Sequence, residues 1–258
     1  MENTMDVSIL ARGPGRAIAY YRSAGKSPGV IFLPGFRSDM QGGKALALEA
    51  HCRGVGRAFL RFDYSGHGRS EGRFVDGTVG GWCSDVLDVL DALATGPQVL
   101  VGSSMGGWLM LLAALARPRR IAGLVGIAAA ADFATRLMAQ RLSDAAKATL
   151  ERDGIVHLPS AYSPEPTPVT KRLVEEARQH ELLHAPIPLR CPVRLIHGTA
   201  DPDVPWQLSL EVMQKLESAD VELHLVKDGD HRLSSDHDLA RLCRVAEEVC
   251  RLAEARSS

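Results

Sequence analysis

Neither sign of charge prevails in this 258-residue chain, in which 30 lysines and arginines face 31 aspartates and glutamates. So small a net field argues against nucleic acid or an anionic membrane as partner, and there is no basic block beyond the short "RPRR" at Arg117–Arg120. Paired cysteines are also missing. The five that occur, Cys52, Cys83, Cys191, Cys243 and Cys250, are odd in number, widely scattered and without a CxxC. That pattern speaks against a disulfide framework or a zinc cluster and for a reducing compartment. The first residues, "MENTMDVSIL", lack the basic segment and apolar run of a secretory leader and the arginines of a transit peptide; the expectation is a protein that is not secreted. Charge is absent from residues 92–116, a run long enough to imitate a membrane span. Yet it contains Pro97 and four glycines, and its period changes at a double serine, so it reads as a buried strand followed by a buried helix. No internal repeat and no low-complexity tract is evident.

What is present is an alternation. Apolar strand-like runs recur at 17–22, 29–35, 58–63, 98–103, 123–128, 193–198 and 221–226, with helical patterns between most of them. "KALALEAHCRG" (44–54) is spaced as an amphipathic helix. "SDVLDVLDALAT" (84–95) sets Val86, Leu87, Leu90 and Leu93 on one face and Asp85, Asp88 and Asp91 on another. Alternating strands and helices predict a parallel sheet covered on both sides, whose strands are near-continuously apolar because both faces are buried. The rhythm breaks between about Asp132 and Pro192. Two helical stretches (about 133–152 and 168–184) flank the proline-rich "HLPSAYSPEPTP". The prediction is a single α/β domain over 1–258 with a small helical cap insertion at 132–190, lying over one end of the sheet and screening a pocket from water.

Chemistry concentrates at "VGSSMGGW" (101–108). Gly102-Ser103-Ser104-Met105-Gly106 is G-x-S-x-G centred on Ser104. The other register fails, because Ser103 would be flanked by Val101 and Met105. In a sharp strand-to-helix turn the central residue holds its hydroxyl exposed, while the positions two before and two after crowd together and exclude bulk. Ser104 is therefore the candidate nucleophile and Ser103 a small neighbour. A serine hydroxyl needs a base, and the base an orienting acid. Each should follow a later strand, acid before histidine. After "VRLI" comes "HGTADPDVPW", with Asp201; after "VELHLV" comes "KDGDHRLSSD", with His231. Strand ends on one edge of a parallel sheet are where such groups meet.

Competing residues differ in position. Asp203 lies deeper in the turn, Asp132 follows the strand "GLVGIA" and could supply the acid in a variant arrangement, His224 falls inside a strand, and His237 begins the last helix. "DGDHRLSSDHD" mixes carboxylates with histidines but matches no metal-ligand spacing, so an acidic solvated turn is the reading. "AGKS" at 24–27 imitates the end of a phosphate loop, but Tyr20 stands where a glycine is required and a strand follows. His67, in "FDYSGHGRSEG", reads as a loop residue. Two backbone N–H groups should receive the developing oxyanion: that of Met105, and that of Phe36 in "LPGFRSDM". The helix beginning at Ser104 adds the favourable end of its dipole. Leu137 and Met138 in the cap and Trp206 after the acid loop are candidates for an apolar acyl pocket.

Taken together, "LPGF", "RFDYSGHGRSEG", "VGSSMGGW", "HGTADPDVPW" and "DHR" resemble the α/β-hydrolase superfamily over nearly the whole chain. "SPGVIFLPGF", "GPQVLVGSSMGGWLMLLAALARP", "LLHAPIPLRCPVRLIHG" and "SDHDLARL" are similar to the mitochondrial alpha/beta-hydrolase domain-containing protein 10 type, which includes palmitoyl-protein thioesterases. The resemblance implies an α/β-hydrolase fold and a serine hydrolase of acyl thioesters or esters, acyl-glucuronides among them, with Ser104 as nucleophile, Asp201 as acid and His231 as base. It implies no cofactor and no metal, and a small acyl ester or an S-acylated protein as substrate. Pro34-Gly35 replaces the His-Gly usual before the first oxyanion residue, as in that subfamily. A monomer is expected, in the mitochondrial matrix if a transit segment has been removed or in the cytoplasm as a bacterial relative. The rival readings are another chemistry on the same scaffold, such as that of a haloperoxidase, lyase or carbon–carbon bond hydrolase, and a non-catalytic binding protein.

Overall fold

The computed structural model describes residues 7–13, 15–160 and 163–257; the first six residues, on which part of the reading of a missing leader rests, lie outside them. Ten strands are present among the described residues: β1 (Ser8–Leu10), β2 (Ile18–Ser23), β3 (Lys26–Leu33), β4 (Arg57–Phe62), β5 (Gln98–Ser103), β6 (Ile121–Ile127), β7 (Ile155–Leu158), β8 (Thr167–Thr170), β9 (Val193–Gly198) and β10 (Val221–Val226). Eight of them form one sheet in the order β1-β2-β4-β3-β5-β6-β9-β10. From β4 to β10 every pairing is parallel; the β1–β2 and β2–β4 pairings at one edge are antiparallel, so β2 alone runs against the rest. This is the α/β-hydrolase architecture, and all seven expected strands belong to it.

Period-two alternation along the strands divides the interior in two. Ile31, Leu33 and Leu100 face a core completed by Trp82 and Val86 of α2 (Val79–Leu93), by the apolar α3 (Met105–Ala116), and by Leu208 and Val212 of α7 (Gln207–Lys215). Val30, Phe32, Val99 and Val101 face the other, closed by Leu48 and Cys52 of α1 (Gly43–Gly54) and Leu242, Val245 and Val249 of α8 (Asp236–Ser257). His224 lies in β10 and His237 in the first turn of α8, as expected. The tract that imitated a membrane span is β5 and α3; no described helix is long and apolar enough to cross a membrane. On α2 the aspartate face is not uniformly wet. Asp85 is buried, accepts hydrogen bonds from the Ser65 amide (2.8 Å) and hydroxyl (3.1 Å), and pairs with Arg12.

The insertion between β6 and β9 departs most from the sequence reading. Helix was expected at about 133–152 and 168–184 around a proline-rich loop; helical residues do occupy much of both spans, but they are broken into short pieces and a β-hairpin joins them. A π-helical turn at Ala134–Met138 runs into α4 (Ala139–Arg141), and α5 (Asp144–Asp153) starts again at a Ser143 cap. Gly154, at φ +74°, then stops α5 in the left-handed conformation that glycine tolerates. Beyond it β7 pairs antiparallel with β8, and only Lys171–Ala177 (α6) and the short turn after it are helical. Two four-residue strands, one containing Pro168, are too short to show a period against their polar flanks.

His67 is more than a loop residue. It is buried with its ring edge-on to Tyr64, Phe74 and Trp82, at 5.0–5.5 Å between centroids. Burial pushes its imidazole down to about 4. The native state thus binds fewer protons than the unfolded chain between roughly pH 4 and 6.5. The resulting stabilisation is complete above pH 6.5 and is lost as pH falls towards 4, by up to about 3 kcal/mol. The His67→Phe variant is expected to show a shallower fall of Tm across that range in a pH series of thermal melts; slopes equal to those of the wild type would contradict the assignment.

Candidate active site

The groups singled out in the sequence lie hundreds of atoms apart along the chain and meet at one edge of the sheet, because parallel strands present all their carboxyl ends to the same side. Ser104 follows β5 directly, Phe36 lies just past β3, Asp201 just past β9 and His231 just past β10. Ser104 has φ +54° and ψ −118°, a backbone conformation that costs a non-glycine residue of order 1–3 kcal/mol and needs its surroundings to hold it. Those surroundings are visible. A Cβ on Gly102 would stand 2.3 Å from the Gly106 carbonyl oxygen, and one on Gly106 would stand 2.1 Å from that of Leu33. The Ser104 amide donates to Ile127 (2.8 Å), and its carbonyl accepts from Gly107 (2.9 Å) and Ala130 (3.1 Å). Ser103 is buried beside it and Ser104 is half-exposed.

His231 bridges the other two groups. Its Nε2 is 3.2 Å from Ser104 Oγ, and its Nδ1 is 2.7 Å from Asp201 Oδ2. Since a carboxylate only accepts, Nδ1 carries the proton and Nε2 turns its lone pair to the serine. The Asp201 side chain is fully buried. Burial works against its ionisation, but hydrogen bonds from His197, His231 and the Val204 amide outweigh that and hold it well below the usual carboxylate range. Asp203 takes no acid's place; its amide donates to Asp201 Oδ1 at 2.8 Å. Lys44 of α1 donates to the carbonyl of Arg232, next to His231, and burial followed by the charge of Arg232 lowers its ammonium to about 8.

The loop after β3 closes the other side. A Cβ on Gly35 would come within 3.4 Å of Ser104 Cβ, so Phe36 stands beside the serine. Among the described residues neither the Phe36 nor the Met105 amide has a hydrogen-bond acceptor, leaving both donors available to a ligand. The Phe36 ring meets Phe74 (5.0 Å), Phe133 (5.5 Å) and Trp82 (5.8 Å), and Phe133 meets Trp108 (5.8 Å). None of these four partners was singled out from sequence, where scattered aromatics carry no period. Leu137 and Met138 pack on the same core, whereas Trp206 is half-buried in the turn before α7.

Asp132 does not orient a histidine. It is buried at φ +57°, and its carboxylate accepts from the amides of Leu182 (2.9 Å) and Leu183 (3.0 Å), tying the two ends of the insertion together. Arg37 donates to the Pro166 carbonyl (2.9 Å), joining the Phe36 loop to the β7–β8 hairpin. The metal reading fares no better than it did in sequence. Asp201, Asp203 and His231 do come within ligand spacing of one another, but Asp201 already spends both oxygens on N–H donors. All five cysteines are free. Burial raises every thiol, Cys52 and Cys250 to about 12 and Cys83 and Cys191 to about 11, so none of them is a ready thiolate.

One residue at the site was missed. His197, the first letter of "HGTADPDVPW", is fully buried with Nδ1 2.6 Å from Ser209 Oγ and Nε2 3.2 Å from Asp201 Oδ2. Its position at the end of an apolar strand was the available signal.

A strained serine between a strand and a helix, hydrogen-bonded to a histidine from the end of β10 that an aspartate from the end of β9 holds in turn, belongs to one architecture. Residues 30–245 match the Alpha/beta hydrolase family, and the chain is a member of it. Among curated proteins it is 47% identical to palmitoyl-protein thioesterase ABHD10, mitochondrial, of Mus musculus over 250 residues, covering 96% of this chain and 84% of that one. It is 45% identical to the Homo sapiens protein of the same name over 244 residues, 94% of this chain and 79% of that one. The solved structure of alpha/beta hydrolase domain-containing protein 10 from mouse superposes with a TM-score of 0.87, covering 95% of this chain and 98% of that one. A putative hydrolase from Agrobacterium vitis S4, 39% identical, superposes at 0.90 with the same coverage.

The close approach at the serine turn gives a sharp test. Gly106→Ala forces a methyl against two backbone carbonyls and is expected to lower stability by about 3 kcal/mol or more. Gly43→Ala, where a Cβ meets nothing within 4 Å, should change it by less than about 1 kcal/mol. Urea unfolding of the two variants should separate them clearly; equal midpoints would refute the crowding.

Proposed function

We propose that the protein is a serine hydrolase of acyl thioesters and esters, acting through an acyl-enzyme formed on Ser104. The observation that carries this reading is the unbroken hydrogen-bond chain from Ser104 Oγ through His231 to Asp201 Oδ2. Ser104 Oγ attacks the acyl carbonyl carbon as its proton passes to His231 Nε2. Asp201, ionised and held by its N–H donors, stabilises the imidazolium and keeps the ring from turning. The carbonyl oxygen gains negative charge and is received by the amides of Phe36 and Met105, donors already in position when the charge develops. The tetrahedral intermediate collapses, the carbon–sulfur or carbon–oxygen bond breaks, and His231 gives its proton to the departing thiolate or alkoxide. A water then repeats the sequence, with His231 as base, and the carboxylic acid leaves. The chemistry uses no metal and no organic cofactor.

The substrate side of the reading rests on two supports. Phe36, Phe74, Phe133 and Trp82 make an apolar wall next to the serine, suited to an acyl chain. The similar curated proteins are named palmitoyl-protein thioesterases, which favours a long S-acyl chain. The insertion, pinned by Asp132 and Arg37, acts as a cap over this wall, with Leu137 and Met138 lining it. The mitochondrial name of those relatives and the five free thiols agree with a reducing interior compartment.

Fluorophosphonate labelling tests the nucleophile: Ser104→Ala should abolish it and Ser103→Ala should leave it intact. Hydrolysis of a short ester dye should fall on the order of 10⁶-fold in kcat for Ser104→Ala and about 10⁴-fold for Asp201→Asn. Label retained on Ser104→Ala, or turnover within tenfold of wild type, would overturn the mechanism. A series of acyl-thioesters and oxyesters of rising chain length should show kcat/KM increasing with length; a preference for acetyl would refute the long-chain assignment.

A further inference from the structure

The acid of the proposed triad serves two histidines. His197 and Asp201 side chains are both wholly out of solvent. His197 projects from the end of β9 between the loop that carries Asp201 and α7, which carries Ser209. Its Nε2 faces two oxygens, Asp201 Oδ2 at 3.2 Å and the Val204 carbonyl at 3.0 Å. Neither oxygen has a proton to give, so Nε2 must be the protonated nitrogen. In the neutral ring Nδ1 then accepts, and the donor is the Ser209 hydroxyl at 2.6 Å. The outcome is a chain in which Ser209 fixes the tautomer of His197, and His197 presents an N–H to the same carboxylate oxygen that binds His231.

We propose that His197 is a positioning residue for catalysis, holding Asp201 Oδ2 and limiting how strongly that oxygen draws on the proton of His231. This rests on the reading of Ser104, His231 and Asp201 as the catalytic groups. The Asp201 carboxylate can turn about its Cα–Cβ and Cβ–Cγ bonds unless its oxygens are held. Its Oδ1 is pinned by the amides of Asp203 and Val204, both at 2.8 Å. His197 and His231 pin the other oxygen, so the plane of the carboxylate is set at both ends. The second donor also shares the charge of Oδ2. With it gone, Oδ2 accepts more strongly from His231 and is free to leave the plane that the two imidazoles define.

Two polar replacements separate this role from mere packing. The amide nitrogen of His197→Gln reaches the place of Nε2 and can donate to Asp201. The amide of His197→Asn reaches only the place of Nδ1, on the Ser209 side. His197→Asn is expected to lower kcat about 10- to 100-fold, with KM little changed. His197→Gln is expected to restore kcat towards wild type. If the two variants are impaired alike, or if His197→Asn raises KM and leaves kcat unchanged, the proposal fails. Should the variants not fold, the wild-type protein with ¹⁵N-labelled histidine decides: an N–H resonance assigned to His197 Nε2 supports the inference, and one at its Nδ1 overturns it. Ser104→Ala measured in parallel keeps the two readings apart. Turnover surviving in Ser104→Ala removes the serine mechanism itself, whereas its loss beside indifferent His197 variants removes only the role given to His197.

Discussion

The architecture of the site depends on one close crossing of backbones. Leu33 and Pro34 leave the sheet where the first turn of α3 begins, and Gly106 lets their carbonyls come nearer than any side chain would permit. Gly102 does the same from the strand side. This contact drives Ser104 into its positive-φ conformation and lays the Phe36 loop against it. The strain at the serine is of order 1–3 kcal/mol, small beside what the crowded residues around it contribute, since Val101, Met105, Trp108 and Leu109 are all fully buried. Sheet and helix therefore hold the hydroxyl where an extended or helical residue could not present it.

Electrostatics complete what packing begins. Asp201 is inaccessible to water yet ionised, a combination that is unfavourable unless hydrogen-bond donors replace the lost hydration. Four N–H groups do so: two backbone amides on one oxygen and two imidazoles on the other. The backbone donors come from the turn "DPDV" itself, so the loop that carries the acid also solvates it. Around this dry anion the remaining polar groups are structural. Asp132 secures the insertion, Asp85 secures Ser65 and Arg12, and Asp63 accepts from the amides of Met40 (2.7 Å) and Arg69 (2.8 Å), joining the loops after β3 and β4. Among these four aspartates, Asp201 alone accepts from imidazoles, two of them on one oxygen.

Much of this was legible in the residues. The seven long strands announced themselves because parallel strands buried on both faces are apolar without interruption. Ser104, Asp201 and His231 were legible because glycine spacing and strand-end position are local properties. The insertion was legible only in its two helical spans. β7 and β8 are short, polar on one side and interrupted by Pro168, and α5 and α6 are cut by Gly154 and Thr170 in ways that periodicity over eleven or more residues blurs. His197 escaped for a different reason: a lone histidine at a strand end carries no pattern, and its meaning lies in Ser209, twelve residues on, and in the turn between them. The burial of Asp85 and His67 depended likewise on distant partners, Arg12 and Trp82, that spacing cannot name.

The order of the reacting groups along the chain has a temporal side. Ser104 and His231 are 127 residues apart, and at roughly 5–20 residues per second of synthesis the hydroxyl precedes its base out of the ribosome by roughly 6–25 s. Through that interval the serine is an ordinary weak alcohol. β9, β10 and α8 must all dock before the imidazole can reach it. On the proposed mechanism, reactivity therefore switches on last, when assembly is complete, and a truncated or half-folded copy stays chemically silent.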